Sequence, residues 1–223
     1  MTSSPGEGHP AALRPAATIV FVVVCAALYV WQHVVLSGPQ GREFELAWGL
    51  VPDSFAQNPV TLVSSMFLHL GLLHLAGNVL FLWVFGKDVE DAMGHARFVV
   101  FYLLCGVLAA LSFALANATS TVPASGASGA VSGVLGAYLL LFPGARVLLV
   151  LPLGFVNVHF GRFPAVWVLA VWFGLQILLG AILDDTSGGV LLGAVFAHVV
   201  GFVVGLALVT FFKRRGVSLW RRY

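Results

Sequence analysis

Four polar residues stand inside long apolar runs and could do chemistry together: His74, Asn78, Ser128 and His198. A serine hydroxyl is a weak nucleophile until a positioned base takes its proton. A neutral imidazole can be that base near pH 7. Attack on a peptide carbonyl develops an oxyanion, which needs donors aimed at it. Asn78 offers an amide N–H, and His74, four residues earlier on the same helix face, offers a ring N–H. Ser128 begins a predicted helix, so its own backbone N–H has no intrahelical acceptor. Every carboxylate lies in the N-terminal stub, in a loop or near a helix boundary, so the chemistry available is that of a Ser–His dyad without an acid. The pattern HExxH is absent, which speaks against a metal-dependent hydrolase, and no cofactor or metal is expected.

The elements that must position these residues belong to a membrane. Of the 223 residues 60% are hydrophobic and 9% charged, and the mean hydropathy is +0.99. A soluble domain carries roughly 25% charged residues. Apolar runs predict six spanning helices at about 17–36, 70–86, 97–118, 127–143, 164–183 and 190–212. Residues 1–16 read as a disordered stub and 213–223 as a basic tail. The segments between helices read as turns and loops, including a semi-apolar connection at 144–163 and a tight acidic turn at 184–189. With the N-terminus in the cytoplasm, ten of the eleven Lys and Arg residues fall inside and only Arg42 outside. The expected fold is therefore an all-α bundle of six transmembrane helices with both termini cytoplasmic. The basic tail is a membrane-flanking cluster, not a nucleic-acid site. Cys25 and Cys105 lie in apolar runs and act as small hydrophobes.

The polar residues share one depth. His74 lies 13 residues before Lys87, Ser128 15 before Pro143 and His198 15 before Lys213. At about 1.5 Å per residue these spans are roughly 20–22 Å. In a hydrocarbon core about 30 Å thick, all three sit roughly 8–10 Å below the outer boundary. Gly201 and Gly205 share a face with His198, and Gly129, Gly133 and Gly136 follow Ser128. Small residues at such spacing let membrane helices approach closely, which would bring Ser128 to His198. A water-accessible cavity capped by residues 119–126 is expected to serve the hydrolysis. Two other readings share these features. A small-solute transporter would also bury polar groups, but should show an internal repeat, and none is visible. A catalytically silent, client-binding relative should lack part of the dyad.

The stretch FLHLGLLHLAGNVLFLWVFGKDVEDAMG (67–94) closely resembles the second-helix signature of rhomboid proteases. GASGAVSGVLGAYLLLFP (126–143) resembles their serine segment, and AHVVGFVVG (197–205) their histidine helix; with WFGLQ (172–176) the similarity covers about 50–210. The resemblance implies a six-helix core, Ser128 as nucleophile rather than Ser125 or Ser132, and His198 as base. It implies His74 and Asn78 as oxyanion donors, His69 as a structural histidine, and Gly126, Gly129, Gly201 and Gly205 as supporting positions. It also implies transmembrane proteins as substrates, cut near the outer membrane face at small residues. Some members carry an aromatic residue four positions past the nucleophile, packed on the histidine; here that position is Ser132. The bias of nine Arg to two Lys suggests a bacterial plasma membrane.

Overall fold

The structure is a computed structural model, and it describes residues 13–36, 38–153, 156–187 and 190–220; within these, the side chains of 148–160, 179–181, 183–187 and 190 are left aside. The chain is mostly helical. Helix α1 (Ala16–Val30) continues as a π-helical segment, Trp31–Leu36. Helices α2 (Gly38–Trp48) and α3 (Thr61–Ser64) follow, the latter extended by a 3-10 turn, Ser65–Phe67. Next come α4 (Leu72–Phe81), a π segment (Leu82–Gly86) and α5 (Lys87–Met93), which run on as one rod. Helices α6 (His95–Ala116) and α7 (Ser128–Leu141), strands β1 (Arg146–Leu153) and β2 (Val156–Pro164), and helices α8 (Ala165–Ser187) and α9 (Val190–Phe212) complete the described chain. Among the described residues four helical rods are long and apolar enough to cross a membrane: Ala16–Leu36, Leu72–Met93, His95–Ala116 and Leu191–Phe212. Two shorter apolar helices accompany them, Ser128–Leu141 and Ala165–Leu178.

Helix α7 is the centre of the bundle, packed chiefly against α9 and α6. Nearly every residue from Ala130 to Leu141 is buried. At 14 residues it is about 21 Å long, shorter than a hydrocarbon core of about 30 Å. Its first residue, Ser128, can therefore start well inside the membrane. Aromatic contacts knit the rods together: Phe85 stands edge-on to Tyr138 of α7 at 4.8 Å, and Phe21 of α1 stacks on Tyr102 of α6 at 4.3 Å.

One end of the bundle holds a cluster of charged side chains around Glu90 and Asp91. Helix α1 has no side-chain cap of its own, so its first N–H groups need acceptors from elsewhere. Glu90 of α5, fully buried, supplies them: its carboxylate accepts the N–H groups of Ala17 and Thr18, each at 2.8 Å, and the Thr18 hydroxyl at 2.6 Å. A negative charge there also complements the helix dipole. His95 Nδ1 lies 2.6 Å from the same carboxylate. The Leu13 N–H donates to Asp91 at 2.8 Å, the Arg214 N–H to the Ala92 carbonyl at 2.9 Å, and the Trp220 N–H to the Leu140 carbonyl at 3.0 Å. Both described termini thus meet at one end of the bundle.

Several expected features are corrected. The stub does not reach 16, because Leu13 is already anchored and α1 begins at Ala16; residues 1–12 lie outside the described residues. The second helix does not stop at 86, since GKDVEDAM stays helical and the rod ends at Gly94, whose φ of +84° suits a glycine cap. The acidic 184–187 segment is the last turn of α8, and 188–189 are not described. The tail is docked through Val217 and Trp220, with 221–223 outside the described residues. The fold is not wholly α: residues 146–164 form an antiparallel hairpin, Arg146 paired with Pro164 and Leu153 with Val156, with a bulge between Leu149 and Val150. This segment is rich in valine, which favours strands, and a hydropathy window cannot register that.

Glu90 is the acceptor for donors more than 70 residues away, so its removal should destabilise the fold without touching the far end of the bundle. Glu90→Ala is expected to lower the thermal midpoint, at about 1–3 kcal/mol per orphaned buried donor, and Glu90→Gln to lower it less. Thermal unfolding in detergent by near-UV signal checks the order.

Candidate active site

Ser128 is the first residue of α7, and its Oγ lies 2.6 Å from Nε2 of His198 on α9. For Nε2 to accept the hydroxyl proton, the ring must carry its own proton on Nδ1. Nδ1 is buried and has no hydrogen-bond partner among the described residues, consistent with a dyad that lacks an acid.

Glycines make the contact possible. A Cβ on Gly201 would collide with the Gly129 carbonyl, one on Gly205 with the Gly133 carbonyl, and one on Gly136 with the Phe202 carbonyl. Helices α7 and α9 therefore touch backbone to backbone along the face below the dyad. Gly129 also faces Ala109 of α6.

The other predicted residues fall around the dyad. His74, in the first full turn of α4, lies over Gly126: a Cβ there would be 2.6 Å from its Cε1, 2.8 Å from its Nε2 and 3.6 Å from Ser128 Oγ. Gly126 has φ +146° and is the one residue that fits beneath the ring. Asn78, one turn later and buried, donates Nδ2–H to the His74 carbonyl at 3.0 Å, which leaves its second N–H uncommitted. His69 is fully buried, its ring edge-on to His74 at 5.3 Å and 65°. Burial, and then His74, push the His69 imidazole down to about 4, so it is neutral at pH 7. The alternative serines are not near-equivalents. Ser132 Oγ donates to the Ser128 carbonyl at 2.7 Å, and Ser125 Oγ is buried beneath Gly49.

Sequence reasoning missed two parts of the site, and a third, the cavity, it expected. Trp172 of α8 packs on the His198 ring at 5.8 Å and 38°, filling the role that Ser132 left open. The segment before Ser128 is pinned by the first loop: Leu50 and Ala124 exchange N–H···O bonds of 2.9 and 2.8 Å, and the Gly126 N–H donates to the Ser65 carbonyl at 2.9 Å. A cavity of about 90 Å³ opens beside the dyad, bounded by Leu50, Ser125, Gly126, Gly129, Ala194 and Ala197 among others. At roughly 30 Å³ per water it has room for a few molecules, at the place where the 119–126 segment was expected to cap a cavity.

The Rhomboid domain family model matches residues 56–215, well over half of the chain. The chain belongs to the rhomboid family. It is 33% identical over 115 residues to mitochondrial Rhomboid protein 1 of Saccharomyces cerevisiae, covering 50% of this chain and 33% of that one. It is 34% identical over 129 residues to the Rhomboid protease GluP of Bacillus subtilis, covering 56% and 24%. It is 28% identical over 169 residues to the mitochondrial presenilin-associated rhomboid-like protein of Mus musculus, covering 70% and 41%. The matches thus span between a quarter and two-fifths of the length of these relatives. The chain is a multi-pass integral membrane protein of this family. With mitochondrial proteins prominent among the relatives, similarity does not support the bacterial plasma membrane suggested by the Arg bias.

Two outcomes follow from this geometry. Gly205→Ala should wedge α7 from α9, lowering the thermal midpoint and slowing fluorophosphonate labelling of Ser128, while Gly174→Ala, with open space around it, should do neither. The depressed His69 gives a second. An unfolded histidine takes its proton near 6.5, the folded His69 near 4, so between these values the unfolded chain binds more protons. Stability contributed by neutral His69 is whole above about 6.5 and falls toward pH 4. Thermal midpoints across that window should fall in the wild type and fall less steeply in His69→Asn.

Proposed function

We propose that this rhomboid-family protein is an intramembrane serine endopeptidase that hydrolyses peptide bonds in or near transmembrane segments of other membrane proteins. The observation that carries the reading is the 2.6 Å contact between Ser128 Oγ and His198 Nε2 at the start of a helix too short to span the membrane. The name of one relative, the Rhomboid protease GluP, agrees with it. The chain crosses the membrane six times, both termini are cytoplasmic, and the dyad opens to the opposite face. The charge asymmetry of the sequence and the meeting of both termini at one end of the bundle support that topology.

Ser128 Oγ attacks the scissile carbonyl as His198 Nε2 takes the hydroxyl proton. The carbonyl oxygen becomes an oxyanion. The Ser128 backbone N–H, the His74 ring and the free N–H of Asn78 donate to it. His198 then returns the proton to the leaving amine, and a water from the cavity beside the dyad hydrolyses the acyl-enzyme by the same steps in reverse order. Gly126, Gly129, Ala194 and Ala197 bound that cavity, a lining that suits a small side chain at the cut. Lipid is the solvent of the bundle, and no metal or cofactor enters any step.

Purified protein in liposomes, given a library of transmembrane segments with cuts mapped by mass spectrometry, tests the reading. Wild type should cut, and Ser128→Ala and His198→Ala should not, while Ser125→Ala and Ser132→Ala keep turnover. Asn78→Ala should leave a slow enzyme, with kcat down about 10²–10³-fold, or roughly 2.7–4 kcal/mol, and KM little changed. Full kcat in a folded Asn78→Ala would make Asn78 a helix contact, and cleavage by Ser128→Ala would sink the whole assignment.

A further inference from the structure

His33 is absent from the motifs that carry the resemblance, and the dyad chemistry does not use it. It sits in the π segment that ends the first rod, with its ring against Tyr29 at 4.4 Å. Its Nε2 lies 2.8 Å from the backbone carbonyl of His69. A carbonyl only accepts, so Nε2 carries the proton and donates. That carbonyl belongs to the short non-helical link between Phe67 and Leu72, in which Leu68 and Gly71 are both extended. The link sets how the first turn of α4 enters the bundle, and that turn carries His74. The His69 ring is sealed in the interior and stands edge-on to the His74 ring. His74 in turn lies over Gly126, beside Ser128 Oγ. A continuous set of contacts therefore runs from an exposed donor on the first rod, through one backbone carbonyl and one buried ring, to a ring at the dyad.

We propose that His33 is a positioning residue: by holding the His69 carbonyl, it fixes the His69 ring and through it the His74 ring at the place where an oxyanion forms. The inference rests on the reading of His74 as an oxyanion donor. Its consequence is selective. A shift of His74 spoils a donor needed in the transition state more than one needed to hold the ground-state carbonyl, so kcat falls and KM does not. The single hydrogen bond carries the effect, so a side chain that can donate from the Nε2 position restores it. Glutamine can, because its amide nitrogen falls near Nε2. Asparagine is one bond too short, and phenylalanine keeps the ring against Tyr29 with no donor.

The test is steady-state cleavage of one transmembrane substrate by the full chain in liposomes, with the rate of fluorophosphonate labelling of Ser128 and the thermal midpoint recorded for each variant. His33→Phe is expected to lose between about ten- and a hundredfold in kcat, the range a small misplacement of a catalytic group can cost, with KM within about twofold. His33→Gln should recover most of it, and labelling should slow in the same order. Should His33→Phe fail to fold, His33→Asn against His33→Gln carries the same comparison. Wild-type kcat in a folded His33→Phe or His33→Asn overturns the proposal. Equal losses in Phe, Asn and Gln also overturn it, since they assign His33 to packing rather than to the bond. Ser128→Ala is the blank: wild-type turnover no higher than this blank overturns the protease reading and the proposal together, whereas turnover well above it with unaffected His33 variants removes only the proposal.

Discussion

The close approach of α7 to α9 is the constraint on which the rest of the structure depends. Lipid supplies no hydrophobic drive to press two apolar helices together, so their association rests on van der Waals packing and weak polar contacts. Glycine is what lets both operate here. With no Cβ at Gly201, Gly205 or Gly136, a carbonyl of the facing helix occupies the place a side chain would take. Such spacing brings Cα–H groups against carbonyl oxygens, each a small gain, and the whole length of α7 profits from dispersion. Had either face carried alanine, the helices would stand farther apart, and a serine hydroxyl could not reach an imidazole nitrogen at 2.6 Å.

A second feature follows from the first. A helix buried by close neighbours on all sides can be short, and α7 is. Because α7 is shorter than a hydrocarbon core is thick, the non-helical segment before Ser128, residues 117–127, can itself fall within membrane depth. Irregular backbone at that depth survives only where protein satisfies its polar groups. The first loop does this with the Leu50–Ala124 bridge and the Ser65 carbonyl that accepts from Gly126. Leu50 and the 3-10 turn that extends α3 are thus parts of the scaffold that holds the segment before Ser128.

What could be read in the sequence was what stands out against apolar surroundings. His74, Asn78, Ser128 and His198 are costly in lipid, and glycines spaced by four on two helices name the face that meets. The missed features have partners that composition cannot reveal. Trp172 looks like any aromatic residue in a spanning helix until its ring is found on His198. Glu90 reads as part of the linker between the second and third helices, because the N–H groups it accepts lie 72 and 73 residues earlier in the chain. The valine-rich hairpin is apolar enough to pass for a connection between helices, since hydropathy measures transfer and not pleat. Where interactions are local or periodic the sequence was legible, and where they close over long separations it was not.

The missing acid has a physical reason of its own. A carboxylate at His198 Nδ1 would orient the ring, but it would have to be buried at membrane depth, where an ionised group is expensive even when paired. Orientation must then come from packing. Trp172 covers the ring, and the glycine contacts fix the rotation of α9 about its axis. Nδ1 is left buried without a partner among the described residues, which costs stability in the resting state. In the proposed mechanism, the imidazolium formed when Ser128 gives up its proton would have, among the described residues, no fixed counter-charge except the oxyanion itself. In a low-dielectric site that attraction is strong, and it exists only once the tetrahedral intermediate begins to form. On that mechanism a dyad without an acid is suited to this depth, because the charge that would stabilise the base is the charge the proposed reaction creates.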